Sequence, residues 1–205
     1  MLLELLYLAD SALPIGAPAH SFGLETMVEN GDLRPETLAG FLAEYAHESG
    51  ALEARFVRRA WRNREDLEAL SHEFSARRLA RESRDASLKM GRRFLELTNC
   101  LLPETSIVNG LHYPVAFGAV GAVIGIPEEA IVLAYLQQSI KGLVSACQRL
   151  MPLGQLAASR IIWNLMPVMT KVARGSPLQE NSCFAPLPEI GSMRHGLLET
   201  RLFIS

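Results

Sequence analysis

The sequence predicts an all-α fold: a single-domain helical bundle of roughly eight to ten helices, followed by a flexible C-terminal tail. No segment of the 205 residues alternates apolar and polar side chains with the period of two that a half-buried strand shows. Apolar residues instead recur three and four positions apart along most of the chain. Prolines and glycines mark the ends of these stretches. With 49% hydrophobic residues, the chain has enough apolar material for a single core.

Helix-start and helix-stop residues delimit the individual elements. Asn30-Gly31 is a C-terminal stop signal. Pro35 suits the first turn of the following helix, because its φ is already helical and its missing N–H has no partner there. Leu38 and Leu42 belong to the apolar stripe of that helix, and Gly50 is expected to end it. We therefore predict helices over residues 2–9, 20–29, 35–50, 51–63, 66–80, 82–99, 127–150 and 156–172.

The apolar segment from Pro114 to Ile126 is predicted to be a buried helix, because it is too short to cross a bilayer. It contains Gly118, Gly121 and Gly125. Each glycine costs a helix about 1 kcal/mol relative to alanine, so three of them indicate that another helix approaches closely. That close contact is expected either in the core or at a subunit interface.

The character of the chain changes after Gly175. Residues 175–191 contain three prolines and no apolar period, whereas residues 192–205 are again rich in leucine. We therefore divide the chain into a helical domain, residues 1–174, and a linker with a partner-docking tail, residues 175–205. The tail is expected to be mobile or loosely packed in the free protein. The alternative is a tail packed permanently on its own core.

Composition limits the class of protein. The net charge of −2 gives no global field that would favour nucleic acid or a membrane surface. The region from Arg55 to Arg93 is locally basic, with twelve Lys/Arg against six Asp/Glu, and is expected to be an ion-paired helix face. Three widely spaced cysteines suggest no disulfide framework, and the N-terminus lacks the positive start of a signal peptide. We expect a cytoplasmic protein without a membrane span.

Motifs for catalysis and for ligand binding are missing from the sequence. None of the five histidines has a second histidine or a cysteine at metal-ligand spacing. No phosphate-binding Gly-x-x-x-x-Gly-Lys-Ser/Thr loop and no Gly-x-Ser-x-Gly nucleophile elbow occurs. We therefore expect no catalytic residues, no cofactor and no metal site in this chain.

Five sequence blocks, in order along nearly the whole chain, resemble the UreF family of urease accessory proteins. The similarity is specific, since the blocks combine prolines, glycines and charged residues at fixed spacings. The blocks are Ala12-Leu13-Pro14-Ile15-Gly16 continued through Ala19-His20-Ser21-Phe22-Gly23-Leu24-Glu25, Arg81-Glu82-Ser83-Arg84 with Ser87-Leu88 and Met90-Gly91-Arg92-Arg93, His112-Tyr113-Pro114-Val115-Ala116-Phe117-Gly118, Arg149-Leu150-Met151-Pro152-Leu153-Gly154-Gln155, and His195 with Arg201-Leu202-Phe203-x-Ser205.

The resemblance implies an all-helical homodimer without catalytic activity. Proteins of this family bridge the accessory protein UreD, also called UreH, to the GTPase UreG, and the complex directs nickel into apo-urease. Two departures concern the tail: Gly196 stands where the family usually has a glutamate, and Ile204 replaces a usual arginine. Both remove charge, so they affect the polar details of tail docking.

Seven residues that match family motifs are candidate partner-binding residues. For Glu25, an equally good interpretation is a surface carboxylate with a local salt bridge. For Arg149, the alternative is a cation that complements the C-terminal dipole of its helix. The candidates are Glu25, Arg149, His195, Arg201, Leu202, Phe203 and Ser205.

Two other classes of function remain open at the level of sequence. An enzyme could assemble a site from scattered residues such as Glu25, His20 and His112. A nucleic-acid-binding protein could use the basic region from Arg55 to Arg93, although acidic residues are interleaved and aromatic residues are few.

Overall fold

The computed structural model describes residues 1–103, 107–175 and 186–204. Within these ranges the regular structure is helical throughout and no strand occurs, which confirms the all-α prediction. The described helices pack around one hydrophobic core. The α-helices are α1 (Leu2–Leu8), α2 (Leu24–Glu29), α3 (Leu38–Tyr45), α4 (Ala51–Arg62), α5 (Leu67–Arg77), α6 (Arg81–Leu101), α7 (Tyr113–Val123), α8 (Glu128–Leu150), α9 (Gln155–Arg174) and α10 (Pro186–Arg194). Short 3-10 helices cover Ala17–Ala19 and His195–Leu197.

Helices α3 and α4 form one continuous rod, because a π-helical turn over Ala46–Gly50 joins them. Gly50 does not end the helix, so that prediction is wrong: its φ of −61° and ψ of −41° are helical. A Cβ at Gly50 would lie 3.3 Å from the Leu136 side chain. The glycine therefore allows α8 to pack closely and does not act as a helix stop.

Helix α2 begins four residues later than the sequence predicted. Phe22, with φ of 51°, and Gly23, with φ of 87°, both adopt left-handed backbone conformations that interrupt a helix. Leu24 is therefore the first helical residue, and Glu25 lies in the first turn of α2. This sharp turn determines where the Glu25 side chain points.

Helix α7 lies at the centre of the core, where it packs against α4, α6 and α8. All of its residues from Tyr113 to Gly121 are buried. A Cβ at Gly118 would lie 2.1 Å from the carbonyl oxygen of Val57 in α4, which confirms the predicted close helix approach. At Gly118 the close approach is therefore to α4 of the same chain, in the core, whereas Gly125 is exposed and the predicted subunit interface stays a prediction.

The described part of the C-terminal tail, residues 186–204, is packed on the domain. Helix α10 lies against α2 and α6. The contact with α2 is close: a Cβ at Gly23 would lie 2.2 Å from the carbonyl oxygen of Pro188, and one at Gly191 would lie 2.6 Å from that of Gly23. The expectation that residues 192–205 are loosely packed therefore does not hold for residues 192–204. Most of the proposed linker lies outside the described residues.

Helix α8 is the one helix of the described ranges whose length and apolar composition would allow it to cross a membrane. In its most apolar window 61% of the residues are buried inside the protein, which is the situation of a core helix.

Candidate partner-docking site at the C-terminus

Glu25 holds the end of the chain in place. Its side chain is only 6% exposed, and its carboxylate accepts hydrogen bonds from the backbone N–H of Leu202 (2.6 Å) and of Phe203 (3.3 Å). Its Oε2 lies 2.7 Å from Nε2 of His195, which is also buried. Hydrogen bonds to an ionised acceptor are stronger than those between neutral groups. The interpretation of Glu25 as a surface carboxylate is therefore wrong. We call residues 195–204 the C-terminal strap.

Arg149 secures the strap from the other side. It lies in the last turn of α8, where its charge complements the helix dipole. Its guanidinium donates to the carbonyl oxygen of Pro18 at 2.8 Å and reaches that of Leu202 at 3.5 Å. The same group lies 4.2 Å from the centroid of the Phe203 ring, a cation–π contact. Arg149 thus connects α8, the loop before α2 and the strap.

The structure brings together five of the seven residues that the sequence singled out. Glu25, Arg149, His195, Leu202 and Phe203 form one cluster, although they are up to 178 positions apart in sequence. The Ile204 N–H adds a further bond, to the carbonyl oxygen of Ala19 at 2.8 Å.

The other two candidates are not part of this cluster as described. The side chain of Arg201 is exposed beside it. Ser205 lies outside the described residues.

A second polar cluster, which sequence reasoning missed, is buried beneath α10. Arg78 lies 3.3 Å from Oε1 of Glu53 and 3.5 Å from Oε1 of Glu189. Glu189 also accepts the N–H of Ala80 at 2.6 Å, and the Tyr135 hydroxyl donates to Glu53 at 3.1 Å. Burial raises the pKa of the Glu53 carboxyl, although the Arg78 charge opposes this effect.

One signal in the sequence could have revealed Glu53. Phe56 and Val57 lie three and four positions further along α4 and are fully buried, so Glu53 shares their apolar face. A carboxylate on a buried face requires a partner, which is Arg78. Nothing in the sequence distinguishes Arg78 from the other arginines of its basic region.

A pocket of about 160 Å³ connects the two polar clusters. Its lining includes Glu53, Arg78 and Tyr135 of the buried cluster, which we call its floor, and Arg149 and Phe203, which we count with its wall. Tyr113 and Gln138 also contribute, with the Gln138 amide donating to the Tyr113 hydroxyl at 2.6 Å. The strap therefore borders a cavity with a polar, charged floor.

The scattered residues proposed for an enzyme do not converge on this pocket. Of Glu25, His20 and His112, only His20 lines it. His112 lies instead between α5 and α7, with its Nε2 at 2.6 Å from the Ser75 hydroxyl. Burial is the main reason why the pKa of His112 is lowered to about 4. Among the described residues, no three His, Cys, Asp or Glu side chains are grouped so as to hold a metal ion.

The basic region from Arg55 to Arg93 is largely ion-paired. Arg58 and Arg62 both contact Glu128, and Arg59 and Arg77 both contact Glu73. Three further arginines, Arg78, Arg81 and Arg92, pair with other carboxylates. These seven paired arginines agree with the interpretation of an ion-paired helix face.

Comparison with known proteins gives a consistent result. The family model UreF matches residues 34–166. The chain is 35% identical to a protein of Nostoc sp. over 99% of this chain and 95% of that protein. It is 35% identical to a protein of Paenarthrobacter aurescens over 99% and 97%, and 32% identical to one of a Mycobacterium species over 100% and 99%. Each of these relatives is named urease accessory protein UreF. The chain therefore belongs to the UreF family.

Proposed function

We propose that this chain is a non-catalytic cytoplasmic urease accessory protein. It bridges a UreD/UreH-type accessory protein and a UreG-type GTPase in a complex that inserts nickel into apo-urease. The names of its relatives support the general role. The observation that carries the bridging proposal is the convergence of motif residues from both ends of the chain on one cluster around Glu25. That cluster holds an apolar surface in a defined position.

The apolar surface lies on α10 and the strap. Leu187, Ile190 and Met193 follow one another at intervals of three on α10 and are exposed, and Leu197 and Leu202 continue the exposed apolar residues into the strap. Their backbone is fixed by Glu189, Gly191 and Glu25, so little ordering entropy is lost when a partner covers them. We assign this surface, with Arg201 beside it, to the UreD/UreH-type protein.

A second exposed apolar surface supports the expected homodimer. Leu2, Leu3 and Leu6 of α1 are all more than half exposed. Helix α1 lies against α8, so two chains could bury these leucines against each other beside the outer face of α8. We assign this surface to self-association and leave the α10 surface free for the other partner.

Co-purification tests the assignment. The chain is co-expressed with a UreD/UreH-type protein and a UreG-type GTPase, and the complex is isolated through the GTPase. We expect all three proteins to be recovered together. The double variant Leu187→Asp/Met193→Asp should lose the UreD/UreH-type protein, because two charges would have to be buried in the interface.

The matched control is Leu156→Asp, which places a charge on an equally exposed leucine of α9. It should leave the complex intact. The bridging proposal fails if the unaltered chain recovers neither partner, and the α10 assignment alone fails if the double variant binds as the unaltered chain does. Circular dichroism of each variant confirms that it is folded.

A further inference from the structure

The strap and the pocket meet at a single side chain. Phe203 is 5% exposed and belongs to the wall of the pocket, whereas Leu202 and Ile204 on either side of it have exposed side chains. The rest of the wall comes from α8, from the loop that precedes α2, and from Ser87 and Met90 of α6. Gly142 and Ser145 of this lining are exposed, so the pocket is partly open and the end of the chain narrows it.

The strap is held at its two ends and not between them. His195 is fixed by Glu25 at one end, and residues 202–204 are fixed by Glu25, Arg149 and Ala19 at the other. Residues 199–201 between these points are exposed. Since these attachments are side-chain contacts and single backbone bonds, residues 202–204 can detach while α8 and α10 keep their own hydrogen bonds.

Detachment would change the surroundings of the pocket floor. Arg149 would lose both the Phe203 ring and the Leu202 carbonyl oxygen, and would keep only its bond to Pro18. The wall above Glu53 and Arg78 would then lack Phe203. These two residues form an ion pair in which both side chains are less than one-tenth exposed.

We propose that the C-terminal strap is a removable wall of the pocket: when residues 202–204 leave Glu25 and Ala19, the pocket widens and the polar floor formed by Glu53, Arg78 and Tyr135 becomes more accessible to solvent. Access to the pocket is then set by the equilibrium between the attached and the detached strap. Any partner that binds the attached strap keeps the pocket narrow, and any partner that removes the strap widens it. This inference concerns contacts within one chain and does not depend on the identity of the partners.

The reaction rate of a thiol placed in the pocket measures whether the strap is attached or detached. Ala146 is buried and lines the pocket, so Ala146→Cys places a thiol there. The native cysteines are replaced in the same chain by Cys100→Ser, Cys147→Ala and Cys183→Ser. The rate of modification by a small thiol reagent is measured in the full chain with the strap intact and again with Phe203→Ala or Glu25→Gln added. We expect both strap variants to raise the rate at least tenfold.

Two controls separate strap release from general loosening. Leu202 is held through its backbone while its side chain is exposed, so Leu202→Ala should leave the rate unchanged. Cys147 is fully buried but does not line the pocket. In a chain that carries Cys100→Ser and Cys183→Ser, the modification rate of Cys147 therefore reports opening of α8 itself. The proposal requires that Phe203→Ala accelerates modification at position 146 and not at Cys147. An equal acceleration at both positions, or no acceleration in either strap variant, would overturn it.

Discussion

Replacing Glu25 with glutamine tests how much of the strap's attachment depends on one carboxylate. The substitution keeps the shape of the side chain but turns one acceptor oxygen into an NH2 donor. In one orientation this donor faces the Leu202 N–H, which now lies 2.6 Å from Oε1. In the other orientation it faces the Phe203 N–H and the His195 ring. Either way at least one backbone N–H loses its acceptor.

The size of the effect follows from the type of bond that is lost. A hydrogen bond to a charged group contributes about 1.5–3 kcal/mol, and Glu25 is buried, so solvent cannot replace it without opening the strap. Since each 1.36 kcal/mol is a factor of ten, strap opening should become roughly 10-fold to 150-fold more frequent. The global free energy of unfolding should fall by a similar amount, because unfolding the whole chain breaks the same bonds as strap opening.

Hydrogen exchange of the amides of Leu202 and Phe203 measures this opening. Protection of these amides should fall by the stated factor in Glu25→Gln, while amides that exchange by local opening with the strap still attached keep theirs. Glu29→Gln is the matched control, because Glu29 lies one turn further along α2 and is exposed. If the strap amides of Glu25→Gln exchange within threefold of those in the unaltered chain, the carboxylate does not hold the strap.

Two further predictions concern the core. In urea unfolding, Gly118→Ala should lower the free energy of unfolding by about 1–3 kcal/mol, because the added Cβ would collide with the Val57 backbone. Gly40→Ala should raise the free energy of unfolding by about 1 kcal/mol, because the space around Gly40 in α3 is open and alanine favours a helix. Burial and nearby positive charges lower the pKa values of His20 and His112 to about 4, so the unfolded chain takes up protons first as the pH falls from 6.5 towards 4. Stability should drop by up to about 1.4 kcal/mol per pH unit for each histidine, partly offset by Glu53, whose pKa burial raises. Urea unfolding of His112→Asn at pH 7 and pH 5 should show a smaller drop, and an unchanged drop would exclude His112 as a cause.

The order of the helices from α1 to α9 could be predicted because most of their ends carry a local signal, whereas α10 begins at Pro186, inside the segment predicted to be a linker, so that part of the prediction is wrong. Asn30 and Pro127 flank helix ends that the structure reproduces within one residue. Gly50 shows the limit of such reasoning: a glycine needed for contact with Leu136 looks the same in sequence as a glycine that stops a helix. The difference depends on a residue 86 positions away, which no local pattern contains.

The site was only partly predictable for the same reason. Resemblance identified Glu25, Arg149 and His195, but it could not tell what they contact. The attachment of the tail rests on backbone N–H groups of Leu202 and Phe203, which every residue type except proline possesses. Composition therefore suggested a loosely packed tail, whereas the carboxylate of Glu25, distant in sequence, attaches residues 202 and 203 to the domain.

The π-helical turn at Ala46–Gly50 has a consequence for how the two halves of the rod face their neighbours. One residue more per turn than an α-helix changes the rotational phase by about 100°. Leu38, Leu42 and Phe56 would lie within about 40° of one another around the axis of an uninterrupted α-helix. The π-helical turn rotates the first two by about 100° relative to the third. Helix α3 can therefore pack on α9 while α4 packs on α7. Deleting a single residue from this turn would bring Leu38, Leu42 and Phe56 back onto one face of the rod and rotate every side chain of α3 out of its present contacts. The length of this segment therefore constrains the fold more than the identity of any residue within it.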